Sequence, residues 1–166
     1  MNRKGFTLTE LLAVIVVLAL IALIATPLVL SIIRDSARSS FSSSVNGLKK
    51  AIEVDYSDDE FATNIYYTYG GYNGNPNAAT ASSTRKLYRT ASRDSYVTTG
   101  TEIHMNGSIA GYGVGHINED GIIYVAAFTD DFCGYIDDTG DLKTEKISAS
   151  FTKKNCIEKV TLLADW

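Results

Sequence analysis

The chain begins with a long run of apolar residues. Between Leu11 and Leu30, only Thr26 and Pro27 are not plainly apolar. About 20 helical residues rise about 30 Å, which is the thickness of the hydrocarbon core of a bilayer. The run therefore predicts a helix that can span a membrane. Pro27 lacks a backbone donor and crowds the preceding helical turn, so it predicts a kink or a local loosening of this helix.

The helical period continues beyond the apolar run, but polar and charged residues now separate the apolar ones. This pattern is typical of an amphipathic helix that buries one stripe. The apolar positions are Ile33, Ala37, Phe41, Val45, Leu48, Ile52 and Tyr56. We predict a single helix over about 7–56, with a hydrophobic membrane or assembly part over 6–30 and an amphipathic part over 31–56.

The remainder of the chain changes pattern near residue 103. Glycine, asparagine and proline interrupt residues 57–102, which predicts a long variable connection, with a short helix at Leu87, Tyr88 and Ala91. Over 103–166, alternating positions and the Asp120–Gly121 turn predict three or four antiparallel strands. The fold class is therefore α+β, with a long N-terminal helix packed against a small antiparallel sheet.

A basic head and one acidic residue precede the apolar run. The run is longer than the roughly 7–15 residues of a secretory signal peptide, and no A-x-A-like cleavage site follows it. Arg3 and Lys4 favour a cytoplasmic N-terminus. At mid-membrane depth, a carboxylate such as that of Glu10 costs about 2.5–3.5 kcal/mol, and less near an interface. Glu10 therefore indicates a partner group. The alternative is that Glu10 complements the helix dipole beside a capping threonine.

The segment from Lys4 to Leu12, KGFTLTELL, resembles the cleavage and methylation motif of type IV prepilins and their pseudopilin relatives. The resemblance covers about the first 35 residues. It implies that a dedicated membrane peptidase removes residues 1–5 by cutting after Gly5 and then methylates the new amino terminus at Phe6. It also implies assembly roles for Glu10, whose carboxylate would meet the Phe6 amine of a neighbouring subunit.

The same resemblance implies a function. Pro27 matches a helix-weakening proline of pilus subunits, and a simple kink is the alternative interpretation. We expect a structural subunit of an extracellular type IV pilus filament, for adhesion and surface motility, that is first held in the bacterial cytoplasmic membrane with its N-terminus inside. Its partners would be other copies in a helical filament, the prepilin peptidase and methyltransferase, an inner-membrane assembly platform, and membrane lipid before assembly.

Two alternatives stay open. The first is a pseudopilin of a type II secretion or competence DNA-uptake system, which shares the motif. The second is a membrane-anchored extracellular binding domain, which would keep residues 1–5. No catalytic constellation and no cofactor are expected, because no Ser–His–Asp set, phosphate-binding loop or metal-ligand spacing is found.

The chain contains two cysteines, Cys133 and Cys156. A domain outside the cell oxidises an even number of cysteines, so we expect a disulfide, as in the C-terminal disulfide-bounded region of many pilins. A metal site is the weaker alternative, because neither a Cys-x-x-Cys pair nor a nearby histidine is present.

Asp137, Thr139 and Asp141 have the i, i+2, i+4 spacing of calcium-loop ligands. Leu142, however, stands where such a loop requires glycine. These residues are therefore a weak calcium candidate, and an acidic hairpin turn is the stronger interpretation.

Charge narrows the choice of partners. The formal net charge is −4, and removal of Arg3 and Lys4 with the leader moves it to −6. An acidic protein is not predicted to bind nucleic acid through its bulk charge. The basic cluster over 85–93 lacks a spacing signature, so no specific nucleic acid is expected.

Overall fold

A computed structural model describes residues 5–58, 65–70, 85–90, 100–109, 111–137 and 139–161. It divides into two compact units, Met1–Ala37 and Arg38–Trp166, which are described separately below. The elements in chain order are α1 (Leu8–Asp58), β1 (Ile65–Tyr69), β2 (Leu87–Thr90), β3 (Thr101–Ile103), β4 (Tyr112–Ile117), β5 (Ile123–Phe128), β6 (Phe132–Ile136), β7 (Leu142–Lys146) and α2 (Lys153–Thr161).

The first unit holds the apolar N-terminal part of α1. The helix continues through Pro27. The hydroxyl of Thr26 donates a hydrogen bond to the carbonyl of Ala22, at 2.6 Å, and such back-bonding satisfies a polar side chain within a helix. This is the one helix among the described residues that is long and apolar enough to cross a membrane.

The second unit is built on a seven-stranded antiparallel sheet with the strand order β3-β2-β1-β4-β5-β6-β7. The C-terminal part of α1 buries its stripe in the larger core cluster. The buried residues of α1 are Phe41, Val45, Leu48, Ala51 and Ile52. Every one of the four large apolar residues was predicted as part of that stripe.

Glycines in the sheet allow α1 to approach closely. A Cβ on Gly113 would lie 2.9 Å from Leu48 Cδ2, and a Cβ on Gly134 would lie 2.8 Å from Val45 Cγ2. Arg38 adds a polar link, since its Nη2 donates to the carbonyl of Thr144 in edge strand β7. The glycines interleaved in β4 and β6 therefore act as packing positions for the helix.

A second cluster covers the opposite face of the sheet. Here α2 lies against β5 and β6, with Ile157 and Val160 packing beside Tyr112 and Phe128. The helix begins after Thr152, whose hydroxyl and backbone N–H both donate to Asn155 Oδ1. Reciprocal capping of this kind satisfies donors that the first helical turn leaves unpaired.

The predicted α+β class, with a long N-terminal helix and an antiparallel sheet in a pilin-like architecture, is confirmed. The sheet is larger than predicted, because β1 and β2 lie within 57–102 and β3 begins there, at Thr101. The short helix predicted at Leu87 and Tyr88 is wrong: Leu87–Thr90 is a strand, and Ala91 lies outside the described residues. Pairing with β1 on one side and β3 on the other overrides the local pattern.

Candidate functional site

The N-terminal end of α1 is organised by a capping box. Thr7 precedes the helix, and its hydroxyl accepts a hydrogen bond from Glu10 N at 3.3 Å. In return, Glu10 Oε2 accepts hydrogen bonds from Thr7 N and from Thr7 Oγ1, both at 2.8 Å. This Thr-x-x-Glu arrangement is the reciprocal motif that satisfies donors at a helix start. The capping role weighed for Glu10 thus has a defined geometry.

The predicted cleavage position lies just outside this box. Gly5 and Phe6 precede the first helical residue and are exposed, and the Phe6 side chain is 90% exposed. No heavy atom lies within 4 Å of the position that a Cβ on Gly5 would take. The peptide bond between these residues is therefore accessible in the described chain. Residues 1–4 of the predicted leader lie outside the described residues.

The apolar surface of the first unit is continuous along the helix. Its large apolar side chains between Leu11 and Ile33 are each 48–76% exposed. Monomeric soluble proteins seldom expose apolar patches larger than a few hundred Å², and larger ones mark membrane or protein contacts. The predicted membrane-spanning run therefore has the exposed apolar character that is typical of a membrane or protein contact.

The disulfide joins two elements of the second unit. Cys133 of β6 and Cys156 of α2 are bonded, with their Cα atoms 5.7 Å apart, and both residues are fully buried. The bond therefore fastens α2 to the face of the sheet opposite α1. A cross-link of this kind constrains the unfolded chain and stabilises the folded one.

The weak calcium candidates meet in a turn. Asp137 Oδ1 accepts hydrogen bonds from the backbone N–H and the hydroxyl of Thr139 and from Asp141 N, at 2.5–3.1 Å. The Thr139 hydroxyl bond contributes most to lowering the pKa of the Asp137 carboxyl. Lys143 Nζ lies 3.4 Å from Oδ2 of the same carboxylate. This geometry favours the hairpin-turn interpretation, and Asp138 lies outside the described residues.

One polar cluster fixes the C-terminal end of α1, and sequence reasoning missed it. Asp55 Oδ2 accepts a hydrogen bond from Tyr67 OH of β1 at 2.7 Å and lies 3.4 Å from Arg89 Nη1 of β2. The Asp55 side chain is 12% exposed. In the sequence, Asp55 is recognisable only as an acidic residue at the margin of an apolar helical stripe. Its partners Tyr67 and Arg89 follow 12 and 34 residues later, so no local pattern connects them.

A buried histidine was also missed. His116 of β4 is 3% exposed, and its ring stacks on Tyr66 of β1 with centroids 4.5 Å apart. Burial lowers the pKa of the His116 imidazole, because the charged form loses its hydration. The alternating pattern predicted that His116 lies on a strand, but it did not predict that the side chain is buried.

Comparison with known proteins supports the resemblance of the N-terminal segment to prepilins. A family model described as a prokaryotic N-terminal methylation motif matches residues 1–26. Neither a curated protein nor a solved structure matches the chain. The matched segment contains the Gly5–Phe6 bond, the capping box at Thr7 and Glu10, and most of the exposed apolar helix.

Proposed function

Because residues 1–26 carry a type IV prepilin-like signal, we propose that this chain is a structural subunit of an extracellular type IV pilus filament that serves adhesion and surface motility. The observation that carries the proposal is the continuity of this motif with an apolar helical run whose large side chains are exposed in the single chain. In this role the chain catalyses no reaction. Its chemistry lies in processing and in helix packing.

Processing is the first step of the proposal. The motif implies cleavage by a prepilin peptidase, and the exposed Gly5–Phe6 bond, which precedes α1, is the position that we assign to it. Proteolysis requires a segment that can leave regular structure and enter an active site. Methylation would then fall on the new amino group of Phe6. Before processing, Arg3 and Lys4 favour a cytoplasmic N-terminus in a precursor anchored by the apolar helix.

Assembly is the second step, and Glu10 is the residue on which it depends. In the single chain the carboxylate accepts two neutral donors from Thr7. Cleavage creates a cationic amine at Phe6, and hydrogen bonds between ionised partners are about twice as strong as neutral ones. We assign the Glu10 carboxylate to the Phe6 amine of a neighbouring subunit. An unpaired charge among apolar helices is costly, so this pair would set the register between subunits.

The apolar helix supplies the remaining contacts. Lipid surrounds it in the cytoplasmic membrane, and neighbouring copies replace the lipid when an inner-membrane assembly platform adds the subunit to the helical filament. Helix association in membranes relies on packing and on specific polar contacts, because lipid is as apolar as the helices themselves. Pro27, with its missing backbone donor, is the position at which we expect α1 to unwind in the filament.

The test compares sheared filaments from cells that express the wild-type chain or the Glu10→Ala variant. We expect wild-type filaments to contain a chain that begins at methylated Phe6, as read from its intact mass. Glu10→Ala should be cleaved normally but remain in the membrane fraction. Asp58→Ala, which removes an exposed acid in the last turn of the same helix, is the matched control and should assemble. Filaments built from Glu10→Ala would contradict the assigned role of Glu10.

The same fractionation also distinguishes the pilus subunit from the two alternative functions. A wild-type chain that is processed at Phe6 but absent from sheared filaments would indicate a pseudopilin of a secretion or DNA-uptake system. A chain that keeps residues 1–5 in the membrane would indicate an anchored extracellular binding domain. Both outcomes would overturn the pilus proposal.

A further inference from the structure

We propose that Asn106–Gly107 is a site of spontaneous deamidation, at which the backbone nitrogen of Gly107 attacks the side-chain amide of Asn106. The two residues form an exposed bend in the connection that leads from edge strand β3 to central strand β4. The site is separate from the N-terminal assembly segment, and the inference does not depend on the proposed function.

The geometry at this bend meets the requirements of the reaction. The attacking nitrogen must be free of a hydrogen bond, and the backbone must be able to rotate toward the side chain. No hydrogen bond among the described residues involves Asn106 or Gly107. Gly107 has φ +95°, and no heavy atom lies within 4 Å of the position of a Cβ on it. Glycine also offers the least steric resistance to the attack.

The chain contains a matched dipeptide in a different environment. Asn46–Gly47 lies in the interior of α1, where backbone N–H groups are hydrogen-bonded to the carbonyl four residues earlier. The helical hydrogen bond therefore makes the backbone nitrogen of Gly47 unavailable for attack, and the helix fixes the backbone dihedral angles. Because both sites are Asn–Gly dipeptides, a difference in their deamidation rates would reflect the difference in local structure.

The reaction needs only water. The nitrogen of Gly107 loses its proton and forms a bond to Cγ of Asn106. The Cγ–Nδ2 bond breaks, and the amide group takes up a proton and leaves as ammonia, which gives a five-membered succinimide. Water then opens the ring at either carbonyl, which gives aspartate or isoaspartate. Each product makes the formal net charge of −4 one unit more negative. In isoaspartate the main chain passes through Cβ and Cγ of the residue, so the backbone is one atom longer.

The extra backbone atom would fall in a connection that is anchored nearby. Downstream, Ile109 N donates to Tyr69 OH at 2.9 Å. The carbonyl oxygen of Asn106 itself lies 3.2 Å from the position of a Cβ on Gly47. Conversion to isoaspartate should therefore disturb the contact of this connection with α1, while the sheet on either side stays paired.

The test is to age the full chain in detergent micelles at mildly alkaline pH and to map deamidation by tryptic digestion and tandem mass spectrometry. Asn46 falls in the peptide 39–49, which is separate from the peptide that carries Asn106. The third Asn–Gly dipeptide, at 73–74, lies outside the described residues and falls in yet another peptide. A sample unfolded in denaturant gives the reference rate for each site.

We expect Asn106 in the folded chain to acquire the mass shift from amide to acid at a rate close to its rate in the unfolded chain. Asn46 should react in the unfolded chain and be strongly protected in the folded one. Protection of Asn106 equal to that of Asn46 would overturn the proposal. Equal reaction of both sites in the folded chain would also overturn it, because the structure would then not select the site.

Discussion

Acid should weaken the second unit through His116. The imidazole is buried in β4 and stacked on Tyr66, and burial lowers its pKa in the folded chain. In the unfolded chain a histidine titrates near its ordinary pKa of about 6.5. Above that pH the imidazole is neutral in both states, so its titration does not change the free energy of unfolding. Below it, the unfolded chain binds a proton that the folded chain resists, so the free energy of unfolding falls as the pH falls.

The magnitude has an upper limit. One proton bound only by the unfolded state changes the free energy of unfolding by about 1.4 kcal/mol per pH unit. Because the unfolded histidine is half protonated at about pH 6.5, the loss between pH 7.5 and 5.5 is at most about 1.4 kcal/mol. His116→Phe keeps an aromatic ring against Tyr66 and removes the titration, so it should abolish this loss.

The assay is denaturant unfolding of the full chain in nonionic micelles, followed by the near-ultraviolet circular dichroism of its tyrosines. His104→Gln is the control, because His104 is exposed and its replacement should leave the acid-dependent loss unchanged. Asp137, whose pKa is lowered, titrates below this pH window. If His116→Phe lost as much stability as the wild type between pH 7.5 and 5.5, burial of His116 would not be the cause, and the reasoning would fail.

Two further predictions concern the packing of the second unit. Gly111→Ala should lower the free energy of unfolding by about 3 kcal/mol or more, because the new Cβ would lie 2.0 Å from the carbonyl oxygen of Phe128; wild-type stability in the same denaturant titration would refute that close contact. Reduction of the Cys133–Cys156 bond, which spans 23 residues, should cost about 3 kcal/mol by the chain-entropy model. Unfolding midpoints that coincide with and without reductant would contradict this.

The sequence predicts the parts of the structure that depend on local patterns. The apolar run, the amphipathic stripe and the motif around Glu10 are each read within a few helical turns, and α1 ends at Asp58, close to the predicted residue 56. The strand at Leu87–Thr90 was not predicted, because its identity depends on partners at Tyr66–Tyr69 and Thr101–Ile103 that no local window contains. Strand preference reflects packing against neighbours more than an intrinsic backbone tendency.

The residues of the candidate site likewise fall into those that were predicted from local sequence and those that were not. Gly5, Phe6 and Glu10 were assigned from the resemblance of the segment Lys4–Leu12 to a prepilin motif, and their roles stay predictions. A capping threonine beside Glu10 was one of two interpretations that the sequence allowed, and the structure shows that Thr7 caps the helix. Burial of His116 was not predicted, because it follows from the positions of β1 and β5 on either side of β4. Hydrogen bonds within a short motif can thus be predicted from sequence, whereas the burial of a residue such as His116 requires the fold.

The distribution of contacts along α1 bears on how a subunit could exchange lipid for protein neighbours. The buried residues that α1 contributes lie between Phe41 and Ile52, inside the second unit, whereas the large apolar side chains from Leu11 to Ile33 are exposed. Removing apolar surface from water contributes about 25 cal/mol per Å², and lipid and neighbouring helices cover it equally well. Under the proposed function, transfer from membrane to filament therefore leaves the core of the second unit intact. Under the same proposal, the choice between the two environments would fall to the few polar groups in the segment, foremost Glu10. The capping box satisfies the Glu10 carboxylate in the single chain, and a neighbouring amine would replace these donors in the filament.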